Sequence, residues 1–166
     1  MERLEKFCST LLSKSKSLTP KKILSTLEDH PITYVDVQSS IEKETEGYAY
    51  GRKTLHRTDD VEILLLYWPP GVSSPIHDHG ESYGVVHVVQ GDILNENFRK
   101  VDEGKVALIE KEYGCESDTV VSYFGDIHRL SNQAEHPCIS LHVYSPPLVE
   151  MGVYELIEND EVSPLG

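Results

Sequence analysis

This sequence predicts a mainly β fold, a small barrel preceded by short helices, on three observations. From Tyr34 onward the chain breaks into short runs rich in Val, Ile, Leu, Tyr and Thr. Gly, Pro, Asn and Asp interrupt those runs at regular spacing, as in "QGD" and "YFGD", which is the pattern of a β-sandwich or barrel. Before residue 30, by contrast, the apolar residues recur at helical spacing.

The helical segment, residues 1–30, reads as two short helices. Leu4, Phe7, Leu11 and Leu12 form one apolar stripe. In "SLTPKKILSTLEDH", Thr19 is placed to cap a helix opened by Pro20, with Ile23, Leu24 and Leu27 as its buried face. The barrel is expected over about 34–157. Its predicted strands run 48–54, 61–68, 85–90, 93–100, 119–123, 127–130 and 138–144. No linker or repeat interrupts them, so residues 1–166 read as one domain with a helical lid or buttress.

At 166 residues and 39% apolar content the chain can bury an ordinary core. A net charge of −13 argues against nucleic-acid binding, which needs positive charge on the contact face. An anionic small substrate would require a local cation. Cys8, Cys115 and Cys138 are odd in number and lack CxxC spacing, so a reduced, cytoplasmic protein is expected. The first residues carry no signal-peptide pattern, and no apolar run is long enough to span a membrane. No apolar interface stripe is visible, which points to a monomer.

Of eight histidines, His77 and His79 stand out. Residues i and i+2 on a strand face the same way, so both imidazoles could reach one borderline divalent ion. Gly71, His77, His79 and Gly91 match the first cupin motif, and Gly125, His128 and Asn132 match the second. The fold class is therefore a cupin, an RmlC-like jelly-roll β-barrel with short N-terminal helices. The usual cupin glutamate falls at Tyr83 or Gly84, neither of which can replace it. Glu81 is the alternative carboxylate, and the favoured set is His77, His79 and His128. Three imidazoles leave coordination positions open, whereas a structural site is closed by four protein ligands.

These stretches resemble the cysteine dioxygenases. "SSPIHDH", "VVQGDI" and above all "CISLHVYSPPL" are similar to the strands around that family's iron. The resemblance covers roughly 48–147, and "YAYGR" and "SLHVYSPP" look most like the bacillus-type bacterial members. It implies Fe(II), one per chain, on His77, His79 and His128. It implies that Arg52 pairs with the substrate carboxylate, with Tyr50 beside it, and that Ser140, His142 and Tyr144 form a hydrogen-bonded relay. Trp68 matches a tryptophan of the family and is read as packing. His87, at even spacing from His79, is read as a core or supporting residue.

The implied reaction joins both atoms of O2 to the thiol of L-cysteine and gives cysteine sulfinic acid. Animal members carry a cysteine at the position of Gly84 that crosslinks to the relay tyrosine, so Tyr144 is expected to keep a free phenol here. Rival readings are a dioxygenase of another small thiol such as 3-mercaptopropionate, a non-enzymatic metal-binding cupin, and a zinc or manganese isomerase or hydrolase.

Overall fold

The computed structural model describes residues 2–157. Helices α1 (Glu2–Ser13) and α2 (Pro20–Asp29) form where the apolar periodicity puts them. The Thr19 hydroxyl accepts from the Lys22 N–H at 3.2 Å and caps α2. A one-turn helix, α3 (Tyr34–Val37), follows. There the Asp36 carboxylate reaches back to accept from the Thr33 N–H at 2.8 Å. Barrel strand therefore starts at residue 51 rather than near residue 34.

Ten strands follow: β1 (Gly51–Arg57), β2 (Glu62–Trp68), β3 (Ile76–His77), β4 (Tyr83–Gln90), β5 (Ile93–Asp102), β6 (Lys105–Gly114), β7 (Thr119–Ser122), β8 (Ile127–Ser131), β9 (Cys138–Ser145) and β10 (Val153–Leu156). One sheet has the order β1-β2-β9-β4-β7. In the other, β10-β3-β8-β5-β6, strand β10 pairs with both β3 and β6 and closes the ring. Three expectations are corrected. The first strand begins at Gly51 and runs to Arg57, three residues later than expected at each end. Strands β3, β6 and β10 are additions to the predicted set. His79 lies beyond the two-residue β3, so strand alternation is not what aims it.

Strand β9 is buried along its whole length, and its two faces do different work. Ile139, Leu141 and Val143 pack outward in one cluster with Phe7, Leu11 and Ile23 of the helices. Those three helical residues are fully buried, and each contributes roughly 1.5–3 kcal/mol of apolar burial. The helical layer is thus a buttress, on the side of the sheet opposite Ser140, His142 and Tyr144. Those three face the barrel interior, where Leu66 and Leu64 of β2 are the cross-strand neighbours of Ser140 and His142, and Trp68 lies on the same face. No helix among the described residues is long and apolar enough to cross a membrane.

Candidate functional site

His77, His79 and His128 converge inside the barrel, with one nitrogen of each within 4.8 Å of the others. His77 pairs with His128 across β3 and β8, which fixes two of the three. His79 is aimed by the bend at Gly80, whose φ of +58° suits a residue without a side chain. Asp78 stabilises that bend: its carboxylate accepts from the Gly80 N–H and the Gly152 N–H, each at 2.9 Å, and from the Tyr154 hydroxyl at 2.6 Å. Glu81 lies on the exposed side and takes no part. His87 is buried and bonds the Ile32 carbonyl oxygen at 3.1 Å, so it faces the helices rather than the three histidines. His56 and His136 are exposed, and His30 caps the end of α2.

The donor set suits a metal ion. His77 Nδ1 lies 2.7 Å from the Pro75 carbonyl oxygen, which only accepts, so Nδ1 carries the proton and Nε2 offers a lone pair. His128 Nδ1 lies 2.9 Å from Asn95 Oδ1, and Asn95 Nδ2 donates to Glu112 Oε1 at 2.8 Å. The carboxylate fixes which way the Asn95 amide faces, so His128 Nε2 also presents a lone pair. His79 Nε2 sits 3.2 Å from His128 Nε2, while its own Nδ1 is buried without a partner. Burial above all, then the neighbouring His77, pushes His79 down to about 3. The same two causes, joined by His79 and His142, push His128 well below its ordinary value. The cluster is therefore neutral, and it could hold a divalent metal.

Beside it lies a cavity of about 550 Å³ lined by His77, Tyr50, Arg52, Trp68, His142 and Tyr144 among others. Thr45 clamps the Arg52 backbone at both its N–H and its carbonyl. The guanidinium lies 5.3 Å over the Tyr48 ring. Among the described residues it forms no ion pair. It places a positive charge on the wall of the cavity. Tyr50 packs on Trp68, ring centres 4.7 Å apart.

Ser140, His142 and Tyr144 are joined by hydrogen bonds, and Trp68 does more than pack. Its indole N–H donates to Ser140 Oγ at 2.8 Å. Ser140 Oγ lies 2.6 Å from His142 Nε2, and His142 Nδ1 lies 2.9 Å from the Tyr144 hydroxyl. An indole only donates, so the single Ser140 proton is directed to His142 Nε2. His142 Nδ1 then donates to Tyr144, whose own O–H is left to point into the cavity. Trp68→Phe removes this bias. We expect the ¹⁵N signature of His142 to show mixed tautomers. An unchanged tautomer would contradict this direction of the relay.

Burial first, then His79, Arg52 and His77, pushes His142 down to about 3 from an ordinary 6.5. Below about pH 6.5 the unfolded chain takes up a proton that the folded chain refuses until about pH 3. Stability is thus complete above pH 6.5 and declines as pH falls towards 3. Urea midpoints of the metal-free protein should drop steadily between pH 6.5 and 4. A flat profile would show that these histidines are not held neutral.

Gly84 sits directly across from Tyr144. A Cβ at this position would lie 2.6 Å from Tyr144 Cε1 and 2.7 Å from Cδ1, so only glycine leaves the ring where it is. Gly84→Ala should displace the phenol and destabilise the fold by about 1–3 kcal/mol, which denaturant titration would check.

A family model for cysteine dioxygenase type I matches residues 45–156. Cysteine dioxygenase type 1 of Rattus norvegicus is 29% identical over 107 residues, which cover 61% of this chain and 54% of that protein. The Danio rerio protein of the same name is 26% identical over 157 residues, covering 88% of this chain and 76% of that one. The chain spans about half the length of the mammalian relatives it matches. Among solved structures, an uncharacterized conserved protein with a double-stranded β-helix domain from Klebsiella pneumoniae superposes with a TM-score of 0.58 at 16% identity, covering 70% of this chain and 88% of that one. A Bacillus halodurans protein gives a TM-score of 0.57 at 17% identity, covering 75% and 88%. These two likenesses bear on the fold, a cupin double-stranded β-helix. The family match extends over most of the barrel and includes all three converging histidines, Arg52 and the relay: the chain belongs to the cysteine dioxygenase type I family.

Proposed function

We propose that the protein oxidises the thiol of L-cysteine with O2 to cysteine sulfinic acid. The observation that carries this reading is one neutral three-histidine cluster that meets, at His77, a cavity also lined by Arg52, which has no ion pair among the described residues. His77, His79 and His128 would hold Fe(II), which supplies a thiolate-binding centre and the redox chemistry that dioxygen needs. Arg52 grips the substrate carboxylate as a directional, permanently charged partner, with Tyr50 packed beside it. The Tyr144 O–H donates a hydrogen bond at the reacting sulfur, and His142, Ser140 and Trp68 hold that phenol in line. Burial, then the neighbouring Tyr50 and Glu62, outweighs Arg52 and raises the Tyr144 phenol well above its usual value, so it stays a donor throughout. The thiol proton is released on binding, and both oxygen atoms end on sulfur.

Three free cysteines, Cys8, Cys115 and Cys138, fit a reducing cytoplasm, and we read the working form as a monomer. 3-Mercaptopropionate shares the thiol and the carboxylate that Arg52 would hold, and it is the second reading. Oxygen consumption by iron-reconstituted protein with L-cysteine, 3-mercaptopropionate and cysteamine separates the two. Labelling with ¹⁸O2 then tests the reaction itself: a product lacking both labelled atoms ends the dioxygenase reading.

A further inference from the structure

The β1–β2 pairing shifts register between Thr54 and His56. One extra residue on a strand reverses the side taken by the residues after it. Arg52 pairs with Leu66 before the shift, and Arg57 pairs with Glu62 after it. Cross-strand partners share a face, so the bulge returns Arg57 to the side that Arg52 occupies. Glu62 ends the interior row of Trp68, Leu66 and Leu64 and stands directly across from Tyr144. It is only 1% exposed.

A buried carboxylate is costly without a partner, and apolar residues of its size often serve stability as well or better. Glu62 is held by Arg57 Nη1, yet its Oε1 has no partner. The pair is therefore a poor device for stability alone, and where it leads is informative. Arg57 Nη2 donates to the Leu148 carbonyl oxygen at 3.3 Å, and Leu148 lines the cavity beside Met151 and Val153. The strap that carries these residues is fastened at its start by Ser82, whose hydroxyl donates to the Pro146 carbonyl at 2.6 Å. It is fastened again where Asp78 accepts from the Gly152 N–H at 2.9 Å. Arg57 holds the stretch between them. Leu148, Met151 and Val153 form one wall of the cavity, so the position of this strap sets how closely a substrate is confined.

We propose that Glu62 and Arg57 are specificity-determining positioning residues that hold Leu148 as the wall limiting the size of the thiol admitted. The inference rests on the thiol-oxidising reading above. Glu62 orients the guanidinium, the guanidinium fixes the strap, and the strap excludes substrates longer than cysteine from a productive pose. Neither residue touches the reacting atoms.

The test uses the full chain, iron-reconstituted, with Arg57→Met and Arg57→Lys. Lysine keeps the charge beside Glu62 but lacks the second N–H that reaches Leu148. Both variants should keep wild-type iron content, raise KM for L-cysteine about tenfold with kcat within about twofold, and improve kcat/KM for homocysteine relative to cysteine by about tenfold. A lower melting temperature with an unchanged cysteine-to-homocysteine ratio would mean a structural pair only, and it would overturn the proposal. If the wild type oxidises no thiol, the functional reading fails and the latch is judged by hydrogen exchange. Exchange in peptides covering 146–152 should be at least about tenfold faster in either variant than in wild type, and equal rates overturn it.

Discussion

Replacing His128 by alanine should leave a folded protein that neither retains iron nor consumes oxygen with any thiol. His128 is the most deeply enclosed of the three imidazoles, 1% exposed, and Asn95 and Glu112 fix its tautomer. Loss of a residue that merely supports a ligand weakens metal binding by about 10–100-fold, so loss of the ligand itself should exceed about 100-fold. His77→Ala and His79→Ala should behave alike, because two imidazoles cannot replace three. Glu81→Gln, on the exposed side of the same bend, should change neither iron content nor rate. The comparison needs metal analysis by mass spectrometry and an oxygen electrode. Full iron stoichiometry in His128→Ala would remove the three-histidine site from consideration, and loss of iron in Glu81→Gln would restore the carboxylate as a ligand.

The second large effect is expected at Arg52. Hydrogen bonds to a charged group contribute about 1.5–3 kcal/mol, and a change of about 1.4 kcal/mol is tenfold. Arg52→Gln should therefore lower kcat/KM for L-cysteine by about 100-fold, mostly through KM. Cysteamine lacks the carboxylate, so its kcat/KM should be nearly the same in variant and wild type. That pairing separates loss of recognition from general damage. If the variant still preferred cysteine over cysteamine by the wild-type margin, Arg52 would not be the carboxylate partner.

The residues of the centre were legible in the sequence because each is marked by local spacing. Gly71, His77, His79 and Gly91, then Gly125, His128 and Asn132, stand at fixed intervals, and Ser140, His142 and Tyr144 alternate on one strand. What escaped depends on how distant strands are set against one another. The bond from Trp68 to Ser140 needs the β2–β9 register, and the Asn95–His128 contact needs the β5–β8 register. Arg57 reaches Glu62 only because of a bulge that no residue in "RKTLHRTDDVE" announces. Strand β6, "KVALIEKEYG", was missed for a different reason: most of its residues are exposed, so it lacks the alternation that reveals a half-buried strand. Even spacing does not carry from His79 to His87, since Gly80 bends the chain between them; His79 joins the cluster, and His87 is the buried supporting residue it was read to be.

The two-residue strand β3 has a kinetic consequence. His77 is flanked by His128 of β8 on one side and Val153 of β10 on the other, so its place is set only after widely separated parts of the chain have met. Contacts of such long sequence separation form late and slowly, because the loop entropy must be overcome before they add anything. We therefore expect ordered assembly, with ring closure ahead of the capture of an ion at the three histidines. Refolding rates should not depend on how much iron is present, whereas the rate of unfolding should fall once the ion is in place.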